Sequence, residues 1–523
     1  MKTLFNRLLE YYSLSENEYN KIQKEDESSL PSFDVFPNIN DIVQYFKNAI
    51  SANKKIIIYG DYDCDGIMST SIMMNLFMKV GYKPGFYIPS REFDGYGLTI
   101  ENIDKFHELN YDIILCVDNG ITLVEQIDYA NSLGMEVVIF DHHTMQEVLP
   151  KAKFILHPGL SDIGKHNISA GEVCFYFSYA YLKTIDKYLL SLAAISTVSD
   201  MMPLLDYNRV IVKLGLKYIN EEKFDSIYNL IDKKYDTISE DNIGLEIAPK
   251  VNSIGRLLND NTRFNIVRYF LNDDGNNSAR LIWINKTNQE RKDLISEYSN
   301  KVEIENSLDS IVTIIDKHEG IAGLIANSLL NKYNKPVVVF AYSQDKDIIK
   351  GSVRSKNGFN VVKALQSLSD LIITFGGHEC AGGLSIKTSN FLKFQNAFNQ
   401  LAKTYSFKDE KKDELTLYVS DLNLSDYNVY RTFAPFGEGH PRPTFLLNNF
   451  PVKSFVSSKD DKHLFAQPSA TSKIVYFSYD KNVKNYHYID ILGDLTRNTF
   501  NGYSYIQFLV REYREKNNYI VQF

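Results

Sequence analysis

Three short acidic clusters carry the residue types that do chemistry in this 523-residue chain. They are Asp61-Tyr62-Asp63-Cys64-Asp65-Gly66, Asp118-Asn119-Gly120 and Asp141-His142-His143. A fourth acid, Asp200, closes the run Ser196-Thr197-Val198-Ser199-Asp200. Ionised carboxylates brought together repel, and without a cation some must hold protons. Several Asp with one or two His and no Cys ligand form an oxygen-and-nitrogen donor set suited to Mn²⁺ or Mg²⁺. Two such ions about 3.5–4 Å apart activate water and stabilise an attacked phosphate.

Each cluster alone has an ordinary reading. A single Asp at a strand end is usually a helix cap or a solvated loop residue. Tandem histidines are a weak signal. DYDCDG matches the start of an EF-hand loop, but that loop needs Glu at its twelfth position, where this chain has Ile72, and a helix before it, where this chain has a strand. The metal reading depends on the fold bringing the clusters together.

That fold is legible in the apolar runs. Ile56 to Tyr59, Ile113 to Val117 and Val137 to Phe140 are short, continuous and apolar, with helix-like patterns at Met68 to Val80 and Leu123 to Leu133 between them. Buried parallel strands joined by helices read this way, which predicts a doubly wound α/β domain over roughly residues 35–205. Each acidic cluster stands immediately after one of those strands, and ligands of open parallel sheets gather beyond the strands' carboxyl ends.

Further along, residues 276–302 contain no Pro or Gly, which favours a long helix bridging two domains. A second αβ region runs from about 305 to 404, with strands at Ile311 to Ile315 and Pro336 to Phe340 and a helix at Ile321 to Leu330. The charge run KDEKKDE, 408–414, reads as a linker. Beyond it, alternating runs such as Lys473 to Tyr479 and Tyr503 to Val510, with Asn501-Gly502 as a turn, fit a small β-barrel. Composition agrees with about three domains: 44% hydrophobic, 23% charged residues and 523 in total, at roughly 150 per domain. A net charge of −8 excludes a protein held to nucleic acid by overall charge, though not one with a local basic cleft. No apolar run approaches the ~18 residues of a membrane span, and the N-terminus lacks the apolar core of a signal peptide. The four scattered cysteines form no CxxC, so neither a disulfide framework nor a zinc knuckle is indicated. The expectation is a cytoplasmic protein without membrane contact.

In this order the clusters resemble the DHH phosphoesterase superfamily, and the motifs that follow narrow the likeness to its bacterial single-strand-specific 5′→3′ DNA exonucleases. Beyond GDYDCDG, VDNG and DHH these are IPSREFDGYGL (88–98), SAGEVCF (169–175), TVSDMMPL (197–204) and APKVNSIGRL (248–257). GIAGLIANSLL (320–330), GSVRS (351–355), FGGHECAGGLSI (375–386) and PFGEGHPRPTF (435–445) complete the set. The likeness covers roughly residues 35–515, departing at Cys380, Gly382 and HPRP. The fold it implies is α/β: a DHH domain with a parallel sheet, a long connecting helix, an αβ DHHA1 domain and a C-terminal OB-fold β-barrel. The implied boundaries are an N-terminal extension (1–34), the DHH catalytic domain (35–260), a connecting helical segment (261–304), the DHHA1 substrate-binding domain (305–406), a charged linker (407–414) and the OB-fold (415–523).

The resemblance assigns metal ligation to Asp63, Asp65, Asp118, His142 and Asp200, with Asp61 among the metal residues and Asp141 nearby in support. His143 faces the scissile phosphate in this scheme. Phosphate contacts fall on Arg91, Arg256, Ser352, Arg354 and His378, with Gly376 and Gly377 letting backbone N–H groups approach an anion, most strongly if a helix begins after His378. The implied function is two-metal hydrolysis of single-stranded DNA, 5′→3′ to mononucleotides, in repair and recombination. Its implied partners are single-stranded DNA and a single-strand-binding protein or a helicase, with the enzyme a monomer. The alternative is a DHH/DHHA1 phosphodiesterase of short oligoribonucleotides or cyclic dinucleotides, which needs no OB-fold. Other readings stay open: Arg354 as a surface ion pair, Gly376-Gly377 as a plain turn, Arg256 as a helix C-cap and Trp283 as packing. In the barrel, Tyr503, Tyr505, Arg511 and Arg514 are candidates for stacking and phosphate contact.

Overall fold

The computed structural model describes residues 2–163, 167–231, 237–271, 275–302, 308–316, 319–343, 346–404, 407, 413–500 and 503–515. The Asn501-Gly502 turn and most of the KDEKKDE run lie outside these residues. The chain divides into two units: Pro31–Met202 with Ile211–Glu410, and Met1–Leu30 with Pro203–Val210 and Lys411–Phe523. No helix among the described residues is long and apolar enough to cross a membrane.

The first sheet of the larger unit is parallel throughout. Its strands are β1 (Ile56–Tyr59), β2 (Gly85–Tyr87), β3 (Ile113–Val117), β4 (Glu136–Phe140) and β5 (Phe154–Leu156), in the order β2-β1-β3-β4-β5. β1 and β3 are buried at every position, as continuous apolar strands covered on both faces must be. The helices Cys64–Lys79, Ala170–Leu182 and Lys187–Ser199 pack on one another beside this sheet. Because all the strands run one way, the loops after β1, β3 and β4 emerge at one edge.

The second sheet is mixed: β6 (Ile311–Ile315), β7 (Val337–Tyr342), β8 (Ile348–Arg354), β9 (Thr374–Gly377) and β10 (Ala381–Lys387), ordered β6-β7-β8-β10-β9. The helix Asn277–Lys301 precedes it, within a residue of the span expected from the missing Pro and Gly. Two glycines let the halves of this unit approach closely. A Cβ on Gly255 would lie 2.1 Å from the Tyr62 carbonyl oxygen, and one on Gly320 2.4 Å from that of Arg256. The helix Ala248–Leu257 therefore rests directly on the first acidic loop and meets the start of the helix Glu319–Tyr333.

The smaller unit holds a seven-stranded sheet: β11 (Glu414–Leu417), β12 (Thr444–Pro451), β13 (Val456–Ser457), β14 (His463–Ser469), β15 (Ser472–Phe477), β16 (Tyr488–Phe500) and β17 (Tyr503–Glu515). Its order is β11-β12-β16-β17-β15-β14-β13, which leaves β11 and β13 as outer strands among the described residues. The first thirty residues, unmatched in the sequence reading, pack here. Leu4, Leu8 and Leu9 share a core with Leu415, Leu417, Tyr430 and Phe433. Arg7 sits over the Tyr418 ring at 4.7 Å and pairs with Asp421 at 2.6 Å.

Gly255→Ala should cost about 1–3 kcal/mol by overpacking a backbone contact. Gly244→Ala, where the nearest atom to the new methyl is 4.0 Å away, should be neutral or slightly stabilising. Thermal unfolding of the two variants side by side checks this; equal Tm values would mean the 248–257 helix does not rest on the acidic loop.

Candidate metal centre

The turn after β1 places three acids by different means. Asp63 caps the helix Cys64–Lys79, its carboxylate accepting the Gly66 N–H at 3.1 Å. Asp65 lies in the first turn of that helix and is almost fully buried. Its two oxygens accept the N–H groups of Ala170 and Gly171, each at 2.9 Å, at the N-terminus of the Ala170–Leu182 helix, and the Ser196 hydroxyl donates to it as well. A helix start is where a carboxylate is electrostatically favoured. Asp61 is buried with one carboxylate oxygen accepting no hydrogen bond.

Asp118, after β3, adopts a left-handed φ of +62° while its N–H donates to the Phe140 carbonyl at 3.0 Å. This conformation, uncommon for a non-glycine residue, marks a constrained site. Its Oδ1 is buried and accepts no hydrogen bond. After β4, Asp141 accepts the N–H groups of Ile121 at 2.9 Å and of His142 at 2.7 Å, and its Oδ1 lies 2.7 Å from His143 Nδ1. Asp200 ends the Lys187–Ser199 helix.

These side chains converge. His142 Nε2 stands 3.3 Å from an Asp118 oxygen and 3.6 Å from oxygens of both Asp65 and Asp200. Three overlapping groups each bring ligand atoms within 4.8 Å of one another: Asp61, Asp63 and Asp118; Asp118, His142 and His143; Asp65, His142 and Asp200. Asp118 and His142 each belong to two groups, so the set is continuous. Buried carboxylate oxygens without donors, beside imidazole nitrogen, form the donor set of a hard divalent cation, and the residues fit one.

The electrostatics follow from the crowding. Burial, then the neighbouring Asp63, pushes Asp61 up to about 8, and burial, then Asp65, pushes Asp200 up to about 8. Burial and the other acids raise Asp63 and Asp118 as well. Asp141 behaves oppositely: burial, the largest single influence, works against its charge, but the bond and charge of His143 and the N–H groups of Ile121 and His143 together outweigh it and hold the carboxyl at about 2. His143 is raised to about 9: burial, the largest single influence, opposes the imidazolium, but the bond to Asp141 and the charges of Asp141, Asp65 and Asp200 together outweigh it. The pair is therefore charged while Asp61, Asp63, Asp118 and Asp200 are pushed toward the protonated form.

Beside the acids lies a cationic group. Arg91 covers the Tyr62 ring at 4.3 Å, and its buried Nε has no hydrogen-bond partner. Arg256 donates to the Gly320 carbonyl at 3.0 Å rather than capping its own helix. Burial, then the charges of Arg91 and Arg291, lower it to about 10, and Arg354 adds to the effect. Burial lowers Arg291 and Arg354 too. None of the four forms an ion pair among the described residues, unlike Arg263, which faces Asp94. Ser352 and Arg354 share one face of β8, opposite Gly323 of the Glu319–Tyr333 helix.

Gly376 and Gly377 lie in β9, the exposed edge strand, where Gly376 opposes Gly383 and Gly383 opposes Ser352. No helix follows His378; the chain bends into β10, so the helix-terminus component expected there is absent and a bare hairpin backbone takes its place. His378 is exposed. In the smaller unit Arg514 pairs with Glu414 at 2.6 Å and Arg511 with Asp494, which occupies both candidate arginines, while Lys473 covers Tyr505 at 4.5 Å. Trp283 is half-buried on its helix.

Sequence reasoning missed two residues. Arg291 joins the cationic group from the long helix, where its neighbours give no sign of it. Tyr96, inside the quoted FDGYGL stretch, brings its hydroxyl within 3.2 Å of the His143 ring; a Tyr between two glycines was the available signal.

The titrations predict a pH dependence for metal-free protein. Asp61 and Asp200, raised to about 8, contribute stability below the ordinary carboxyl range and lose it as pH rises through 8. His143, raised to about 9, contributes fully below about 6.5 and loses its share on approach to 9. Both run the same way. In chelator the Tm should fall between about pH 6 and pH 8.5, and Mn²⁺ should raise it more at the upper end, where ligands are ionised. A metal-free Tm that is flat or rising over that window contradicts the protonation scheme.

Three family models match the chain: the DHH family N-terminal domain at residues 55–197, the DHHA1 domain at 309–404 and the RecJ OB domain at 414–512. The chain is similar to the single-stranded-DNA-specific exonuclease RecJ of Bacillus subtilis (strain 168), 31% identical over 420 residues. That alignment takes in 77% of this chain and 53% of the relative, so the chain spans about half the relative's length. RecJ from Thermus thermophilus, solved with Mn²⁺, has the same fold, with a TM-score of 0.83 over 98% of this chain and 76% of that one at 23% identity. A second structure, exonuclease RecJ bound to manganese, is 27% identical with a TM-score of 0.62 over 72% of this chain and 96% of that one.

Proposed function

This chain belongs to the DHH family and carries the RecJ succession of DHH, DHHA1 and OB domains, and on that premise we propose that it is a metal-dependent exonuclease degrading single-stranded DNA 5′→3′ to mononucleotides. The observation that carries the reading is the continuous ligand set around Asp118 and His142 beside four guanidiniums that form no ion pair among the described residues. Asp61, Asp63, Asp65, Asp118, His142 and Asp200 would hold Mn²⁺ or Mg²⁺, in a set large enough for two ions. When bound, such ions supply an activated water and neutralise charge on the attacked phosphate.

The chain's own residues do the rest. Asp141 fixes the His143 ring and keeps it positively charged to about pH 9, so the imidazolium, half-exposed at the site, donates to a non-bridging phosphate oxygen. Tyr96 contacts the same ring from the exposed side. Arg91, Arg256, Arg291 and Arg354 offer planar forks to a second phosphate. A terminal 5′-phosphate carries more charge and more acceptor oxygens than an internal diester, so this group favours a phosphorylated 5′ end and positions the next diester at the acids. The glycine row Gly376-Gly383 beside Ser352 leaves room for a nucleic-acid backbone.

The OB unit favours DNA over short oligoribonucleotides or cyclic dinucleotides, because it adds a face for more substrate than the acidic site needs. On β14 and β15, Phe465 and Phe477 are 38% and 52% exposed beside His463, which packs edge-on to Phe477. Exposed rings on an OB sheet stack bases.

Purified protein should shorten 3′-labelled single-stranded DNA from its 5′ end with Mn²⁺ or Mg²⁺, spare duplex and stop in EDTA. Asp118→Ala should lower the rate by more than the roughly 10–100-fold that losing an outer-shell partner costs, and Arg354→Ala should shrink the preference for 5′-phosphorylated over 5′-hydroxyl ends. Shortening from the 3′ end, or equal rates on both 5′ termini in wild type, defeats the polarity.

Phe465→Ala with Phe477→Ala should weaken binding of a long single strand in EDTA by about 1–3 kcal/mol per lost stack, leaving cleavage of short oligonucleotides nearly intact. Unchanged affinity, measured by fluorescence anisotropy, would assign those rings another role.

A further inference from the structure

Arg91 lies in the loop after β2, and the residues on either side of it are bound by one side chain. The Asn259 carboxamide accepts the Ser90 hydroxyl at Oδ1, 2.9 Å away, and donates through Nδ2 to Glu92 Oε2. A carboxylate accepts and an amide NH₂ donates, so the chemistry of the partners fixes which end of the amide faces which residue. Glu92 is the acid next to Arg91 in sequence, yet among the described residues it forms no ion pair, its oxygen going to Asn259 instead. Arg91 meanwhile rests on the Tyr62 ring at 4.3 Å, its buried Nε–H finding no acceptor.

Both sides of this clamp are themselves fixed. The loop closes on itself: the N–H groups of Asp94 and Gly95 donate to the Ser90 carbonyl at 2.9 and 3.1 Å, and the Ser90 N–H donates to Asp94 Oδ2 at 2.6 Å. On the other side Arg263, 3% exposed, donates to the Asn259 and Asp260 carbonyls, each at 2.8 Å. Its Nε reaches the Ile88 carbonyl, also at 2.8 Å, which ties the same segment to the end of β2. Asn259 follows closely on Arg256, whose helix ends where the Leu258 N–H donates to the Ile254 carbonyl at 2.9 Å. Residues 256–259 therefore carry one phosphate-facing arginine and grip the loop of another, all within the larger unit.

We propose that Asn259 is a positioning residue of the phosphate site: by clamping Ser90 and Glu92 it sets the Arg91 guanidinium at a fixed spacing from Arg256 and keeps Glu92 from pairing with either. The inference rests on the reading of the guanidiniums as the seat of a terminal 5′-phosphate. Each fork bonds a phosphate in a defined direction, so two of them serve one phosphate only if their spacing is held. A misplacement of about 1 Å caused by a residue away from the chemistry costs up to roughly 100-fold in rate. A released Glu92 adds to the loss, since a carboxylate beside the arginines repels the phosphate and competes for their N–H groups.

The test uses full-length protein and short single strands ending in a 5′-phosphate or a 5′-hydroxyl. Affinity is read by fluorescence anisotropy in EDTA, and kcat/KM with Mn²⁺. Asn259→Ala should lose about tenfold or more on the phosphorylated end in both measurements, and markedly less on the hydroxyl end. Glu92→Gln should keep the preference for phosphate, because its carbonyl still accepts from Asn259. At about pH 8 Asn259→Asp should lose it, since two carboxylates then face each other. Asn259→Asp combined with Glu92→Gln should restore it, with donor and acceptor exchanged across the clamp. Ser90→Ala removes one arm of the clamp and should shrink the preference in the same direction, which decides the matter if Asn259→Ala does not fold. A wild-type preference in the folded Asn259→Ala and Ser90→Ala variants overturns the inference. So do equal losses on the two ends, the mark of a merely structural role, or a double variant that recovers nothing. Wild-type protein with no preference for the phosphorylated end removes the reading of the guanidiniums, and this inference with it.

Discussion

Mutual repulsion among buried carboxylates is the constraint around which the larger unit is organised. Asp61, Asp63, Asp118 and Asp200 are each pushed toward the protonated form by burial and by one another. Such a group persists only if the surrounding fold over-determines it. Here the parallel sheet does so, since three strand ends deliver acids to one edge and the starts of the 64–79 and 170–182 helices supply N–H groups to Asp63 and Asp65. A cation relieves what the scaffold imposes, so metal affinity and metal-free instability have one origin.

The guanidinium group is the mirror image of this arrangement. Arg256 is lowered by burial and by Arg91 and Arg291, yet the pull of Asp63 on it is also felt, so the two clusters lie within reach of each other without neutralising. Packing keeps them apart: Gly255 and Gly320 set the helix carrying Arg256 against both the acidic loop and the 319–333 helix. A side chain at either glycine would open that seam. Opposite charges held separate in a partly buried cleft are preorganised for a ligand that touches both, and a phosphate with its divalent ions has that character.

The first three acidic clusters were the most legible part of the sequence because each follows a continuous apolar run, and strand ends in parallel sheets are readable from burial periodicity alone; Asp200 ends a helix instead. The long helix at 277–301 was legible from what it lacks. Arg291 was not, because a solvated charge and an electropositive wall look alike on a helix whose partners are distant in sequence. His378 shows the reverse failure: a glycine pair suggested an anion-binding helix start, whereas β10 pairing claims the following residues and makes a hairpin. Of the 203–210 segment only Pro203 and Leu204 fell within a quoted motif, and its anchorage depends on residues 433–439, beyond the reach of any local pattern.

The seating of the first helix has a consequence for how the molecule is made. Arg7 and Asp421 are 414 positions apart, and the leucines of Leu4–Tyr11 find their core among strands that are synthesised last. At roughly 5–20 residues per second, translation leaves that amphipathic helix without its partner for about 20–80 s. The two sheets of the larger unit, by contrast, are assembled from segments that leave the ribosome in succession. The segment is thus made long before the residues that bury it, so during synthesis its leucines lack the core that covers them in the folded chain.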